Sequence, residues 1–147
     1  MTITTEYKTA LQQDLMPLLG EALIAVQKVD FALYKAIQPL CKQHPNRDLR
    51  ALSRLTANQF LQGTSADVTL RLQPLHNMLN DELPMSVAEI SDFVSKRNLI
   101  TQQFWQLTDA PIKGGEKIAQ PVPFLQQLLS QCDKWMERVE KVDLKAA

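Results

Sequence analysis

The chain is 147 residues long with a mass of 16.7 kDa, enough for one compact domain that buries a core without metals or disulfides. Sixteen Lys and Arg balance sixteen Asp and Glu, so there is no overall basic field to gather nucleic acid, and such binding would need a local patch. Four glycines, eight prolines and few β-branched runs in a Leu-, Ala- and Gln-rich chain point to an all-α protein in which prolines act as boundaries or kinks.

The first residues, with Thr4, Thr5 and Glu6, can cap a short helix through about Leu15, and Pro17 then suits the first turn of a longer one. Along that second helix Leu19, Ala22, Val26, Val29, Leu33, Ala36 and Leu40 recur in steps of three and four, over roughly six turns. A stripe this long packs against another helix, and its period near 3.5 suits an antiparallel bundle. Asp30 lies off the stripe and reads as a solvated charge, with a core or interface partner for Arg97 as the other reading. His44-Pro45-Asn46 closes the helix by about Gln43, where His44 is favoured by the helix dipole.

Asn46 or Asp48 can cap a short helix carrying Leu49, Leu52, Leu55 or Thr56, and Phe60, ending before Gly63. Its outer side bears Arg47, Arg50 and Arg54, which, diluted by Asp48 and without an interleaved aromatic for base stacking, read as a solvated face. Thr64 or Ser65 can start a further helix with Val68, Leu72, Leu75 and Leu79 in phase, kinked or divided by Pro74. His76 lies beside that stripe rather than in a ligand cluster. Asn80 to Pro84 reads as a polar connection.

Ser86-Val87-Ala88-Glu89 forms a capping box for a central helix expected to reach about Leu107. Ile90, Phe93, Ile100 and Phe104 share its apolar face, and Arg97 falls among them, a costly placement unless the guanidinium has a partner. Asn98 and Gln102 form a neighbouring row, and Lys96 sits on the flank. Lys113 to Lys117 lacks the first glycine and the hydroxyl residue of a phosphate-binding loop, and the stretch of about 108–122 reads as a mobile loop. Pro121-Val122-Pro123 introduces a last helix in which Leu125, Leu128, Cys132, Trp135, Val139 and Val142 form a second long stripe, suited to pair with the first.

The run Arg97-Asn98-Leu99-Ile100-Thr101-Gln102-Gln103-Phe104-Trp105 resembles the RNxLxHxF signature of the HEPN superfamily, small helical bundles of toxin–antitoxin, antiphage and RNA-processing systems. Arg97, Asn98, Ile100 and Phe104 match, and Gln102 stands in the place of the histidine. The resemblance implies a metal-independent ribonuclease ancestry, in which two protomers bring their motifs together, the arginine stabilising phosphate charge and the histidine moving protons. Glutamine keeps the polarity and loses the titrating group. The leading expectation is therefore a non-catalytic helical interaction protein, a homodimer with a protein partner, whose binding residues are Lys96, Arg97, Asn98, Gln102 and Trp105. The alternatives are an RNA endonuclease with Arg97, Asn98 and Gln102 as candidate residues, in which Arg97 binds phosphate and a histidine is recruited from a distant helix, with RNA as partner, and a small-molecule module whose pocket is lined by Trp105 and Trp135.

Cys41 and Cys132 lie far apart with no CxxC pair, and read as small buried apolar residues in a reducing compartment. No cofactor or metal is called for. No apolar segment is long enough to span a bilayer, and Met1 to Tyr7 lacks the pattern of a signal peptide, so the expected location is the cytoplasm.

Overall fold

A computed structural model describes residues 2–103 and 121–146, with side chains over 15–102 and 122–141. It is an all-α bundle. Helix α1 spans Thr2–Gln43 and α7 spans Pro121–Ala146, and the two pack along each other. Between them in sequence come α2 (Arg47–Leu52), α3 (Ala57–Phe60), α4 (Ser65–Arg71), α5 (Gln73–Leu79), a 3-10 turn at Asn80–Glu82, and α6 (Val87–Asn98). A π-helical turn over Leu99–Gln103 continues α6.

The α1–α7 pair follows from the two stripes. Ala22, Val26, Val29, Leu33 and Ala36 are buried on one helix, and Leu125, Leu128, Cys132, Trp135 and Val139 on the other. Phe93 of α6 completes the layer, its ring edge-on to Trp135 at 5.5 Å between centroids, a geometry worth about 1 kcal/mol beyond its area. Both cysteines are free and buried, and burial pushes each thiol up to about 11, as small apolar core residues require.

Two sequence expectations change here. The predicted break before Pro17 does not exist, since α1 runs through both Pro17 and Pro39. A proline inside a helix removes one hydrogen bond and costs about 3 kcal/mol. Both rings lie on the exposed side, while Leu18, Leu19 and Leu40 pack against the core and hold the backbone helical across the gap. The single helix expected from Asn46 to Gly63 is instead two. Asn46 caps α2 by accepting from the backbone N–H groups of Asp48 and Leu49, and Thr56 opens α3 with a capping box closed by Gln59. Thr56, the alternative to Leu55 on the apolar face, gives its hydroxyl to the backbone instead, so the helix restarts there.

Pro74 divides its segment: α5 begins at Gln73 with the proline in its first turn. Ser86 accepts from the Glu89 backbone at 3.1 Å while the Glu89 carboxylate accepts from the Ser86 N–H at 3.1 Å, so the capping box forms as its spacing demands. The expected end of the central helix near Leu107, the body of the loop near 108–122, and the side chains of Phe104, Trp105 and Val142 lie outside the described residues, although α7 already starts at Pro121.

Candidate functional site

The polar cluster assembles where α6 ends against the middle of α1. Arg97 leaves the last turn of α6 among Ile90, Phe93 and Val94, all fully buried, so its side chain is only 13% exposed and its charge must be met inside the protein. Its guanidinium Nη1 donates to both Asp30 carboxylate oxygens, at 3.0 and 3.2 Å. Nη2 donates to the Leu61 carbonyl at 2.8 Å and to Asn98 Oδ1 at 3.0 Å, and Nε donates to the same Asn98 oxygen at 3.3 Å. All three nitrogens of a group that carries five N–H donors are thus engaged.

Asn98 hands the network on, its Nδ2 donating to the Gly63 carbonyl at 2.9 Å. Gly63 is placed for that contact by a backbone φ of +100°, where an L side chain is strained, and a Cβ there would meet Asp67 Oδ2 at 2.7 Å. The Arg97–Asn98 pair therefore ties α6 to α1 through Asp30, to the end of α3 through Leu61, and to the turn before α4 through Gly63.

Burial raises the Asp30 carboxyl above its ordinary value, and the Arg97 guanidinium pulls it back down. The solvated reading of Asp30 is overturned. Four residues after Val26 and three before Leu33, it sits at the edge of the core stripe, close enough to be drawn inside by a partner on α6.

Beside this network a cleft of about 410 Å³ opens between α1, α3 and the π-helical turn. Asp30, Arg97 and Asn98 form its polar floor, and Gln27, Phe31, Asn58, Gln62, Thr101 and Gln102 its rim. The π turn matters because it interrupts the α6 register just after Asn98: Ile100 stays buried while Thr101 and Gln102 are exposed at the cleft. Thr101 turns its hydroxyl back onto the Arg97 carbonyl at 3.0 Å. Phe31, Asn58 and Gln62 carried no signal in the sequence, because their approach to Arg97 depends on how α3 packs on α1.

The other expected site residues do not join this cluster. Lys96 points to the opposite flank, pairing with Asp92 at 2.9 Å and donating to Gln131 of α7 at 2.9 Å. Trp135 is a buried core residue against Phe93, away from the cleft lining, and the side chain of Trp105 is outside the described residues. His44 accepts from the Asn46 backbone at 3.0 Å beyond the end of α1, and His76 is exposed on α5, so neither lines the cleft. Arg47, Arg50 and Arg54 are exposed, as a solvated face would be. Among the described residues no group of three or more His, Cys, Asp or Glu could hold a metal ion, and no helix is long and apolar enough to cross a membrane.

No family model, curated protein or solved structure matches the chain. The resemblance to the HEPN signature rests on the motif residues alone.

Proposed function

We propose that the protein is a non-catalytic helical interaction module, with a HEPN-like ancestry in which the arginine of the motif has become a structural tie. The observation that carries this reading is the closed inventory of Arg97: its nitrogens are spent on Asp30, Leu61 and Asn98 of its own chain. A phosphate arriving at Arg97 would have to displace the Asp30 carboxylate, which already neutralises it in a partly desolvated setting. The residue in the histidine's place, Gln102, is exposed at the cleft and cannot move a proton at neutral pH. General acid–base cleavage of RNA needs such a group beside the arginine, and His44 and His76 are placed elsewhere.

The test is a metal-free cleavage assay on single-stranded RNA with native protein and with Arg97→Lys and Gln102→His. The native chain is expected to leave RNA intact. Cleavage by the native protein that disappears in Arg97→Lys, with the fold retained by circular dichroism, would overturn the reading in favour of a nuclease.

A further inference from the structure

The side of α1 that turns away from the core carries a second apolar row. Met16, Ile24 and Phe31 are 63%, 56% and 55% exposed, and with Gly20 and Gln27 they recur at steps of three and four, which keeps them on one helix face. From Met16 to Phe31 the row runs about 22 Å. Two features of it bear on what covers it.

The first is Gly20. A glycine in the middle of a helix costs roughly 0.5–1 kcal/mol relative to alanine, and it is retained where something must come close. Among the described residues nothing does, since a Cβ built at Gly20 meets no atom within 4 Å beyond the helix's own backbone. The second is the column of exposed charges along one flank of the row. Glu21, Lys28 and Lys35 follow one another at intervals of seven, acidic first and basic after, and Asp14 repeats the acidic sign seven residues earlier in the sequence.

In a heptad frame with Ile24 and Phe31 at a, and Gly20 and Gln27 at d, those four charges all occupy e. Positions e and g set the orientation of helix pairs through their charges. In a parallel pair e faces g, whereas in an antiparallel pair e faces e. A column that changes sign halfway along therefore complements itself only when the second helix runs the other way.

One register satisfies both features. Setting Glu21 against the partner's Lys28 sets Lys28 against the partner's Glu21 by the same two-fold axis, and aligns Lys35 with sequence position 14 of the partner. That register lays Phe31 across from the partner's Gly20, where the missing side chain leaves room for a ring, and Ile24 across from the partner's Gln27. We propose that the outer face of α1 is a self-association surface that docks antiparallel, about a two-fold axis, onto the same face of a second copy of this chain. Such a contact is isologous, so each favourable pairing is made twice. It deepens the interaction-module reading by naming the partner as a second copy, and the surface shares Gln27 and Phe31 with the rim of the cleft beside the Arg97 network.

The test is sedimentation of the full chain over the micromolar range at low and high salt. A concentration-dependent dimer that weakens as salt rises is expected. Lys28→Glu turns two attractive pairs into two repulsive ones and is expected to raise the dimer dissociation constant roughly tenfold, and the double variant Glu21→Lys/Lys28→Glu is expected to restore it. Gly20→Leu fills the gap with a helix-favouring side chain, so it should abolish dimerisation while the melting temperature of the monomer stays level or rises. A chain that stays monomeric throughout, or a dimer insensitive to Lys28→Glu and Gly20→Leu, or a charge swap that fails to restore association, would sink the proposal. A monomer that leaves RNA intact removes this inference and leaves the preceding reading standing, whereas a dimer that cleaves RNA does the reverse.

Discussion

Two arginines in this protein each reach from one helix to a carboxylate on another, and they live in different surroundings. Arg97 and Asp30 are 13% and 30% exposed, whereas Arg138 and Glu89 are 45% and 37% exposed. The buried pair has its carboxyl raised, because burial outweighs the guanidinium beside it. The exposed pair has its carboxyl lowered, because the Arg138 hydrogen bonds act with little desolvation against them. An ion pair at the surface is a small convenience, while one inside makes each partner dependent on the other.

Breaking the buried pair should have the largest effect. Arg97→Met leaves Asp30 without its counter-charge and the Leu61 carbonyl without its donor, and urea unfolding is expected to show a loss of about 3–5 kcal/mol. Adding Asp30→Leu in the same chain should recover much of that loss, since a buried ion pair replaced by apolar groups is often neutral. No recovery would mean that the Leu61 and Asn98 contacts, rather than the charge, carry the cost.

Asp30→Asn keeps the shape and removes the charge, leaving a neutral acceptor for Arg97, and a smaller loss of about 1–3 kcal/mol is expected by the same measurement. Ser86→Ala removes the cap that α6 shares with Glu89, for about 1 kcal/mol. Arg138→Ala breaks the exposed pair and should cost less than about 1 kcal/mol, an effect that high salt shrinks further. If Arg138→Ala proved as damaging as Arg97→Met, the contrast between the two pairs would be lost.

The pH dependence sharpens the same contrast, because the two carboxyls act with opposite sign. Glu89 is lowered in the folded state, so its contribution is complete above the ordinary glutamate range and is lost as the pH falls through the lowered value. Asp30 is raised, so the folded state holds its proton longer than the unfolded chain does, and stability falls as the pH rises from the ordinary aspartate value through the raised one. Urea unfolding across the acidic range is expected to show a shallower acid loss in Arg138→Ala, and in Asp30→Asn the disappearance of the opposing limb. Profiles that both coincide with the native one would contradict these assignments.

The same division separates what was legible in the sequence from what was not. The stripes of α1 and α7, the Ser86–Glu89 box and the division at Pro74 are local patterns, with cause and effect a few residues apart, and they appear as the spacing requires. Pro17 misled because its local penalty is outweighed by packing along the rest of α1. Thr56 misled because a hydroxyl in phase with an apolar face can serve the backbone instead. Arg97 was marked by its own placement among apolar residues, yet Asp30, Leu61 and Gly63 are 67, 36 and, from Asn98, 35 residues away in sequence, and no spacing rule links them.

By itself, then, the sequence determined an all-α bundle with two long helices, a capped central helix, and an arginine that had to find a partner, since apolar periodicity and backbone capping act over a turn or two. Only the tertiary structure decided which partner that was and how completely it occupies the guanidinium. A carboxylate, a carbonyl and an amide meet Arg97 because the end of α3 and the α6–π turn both pack against α1, and their mutual approach is a property of packing rather than of any one segment.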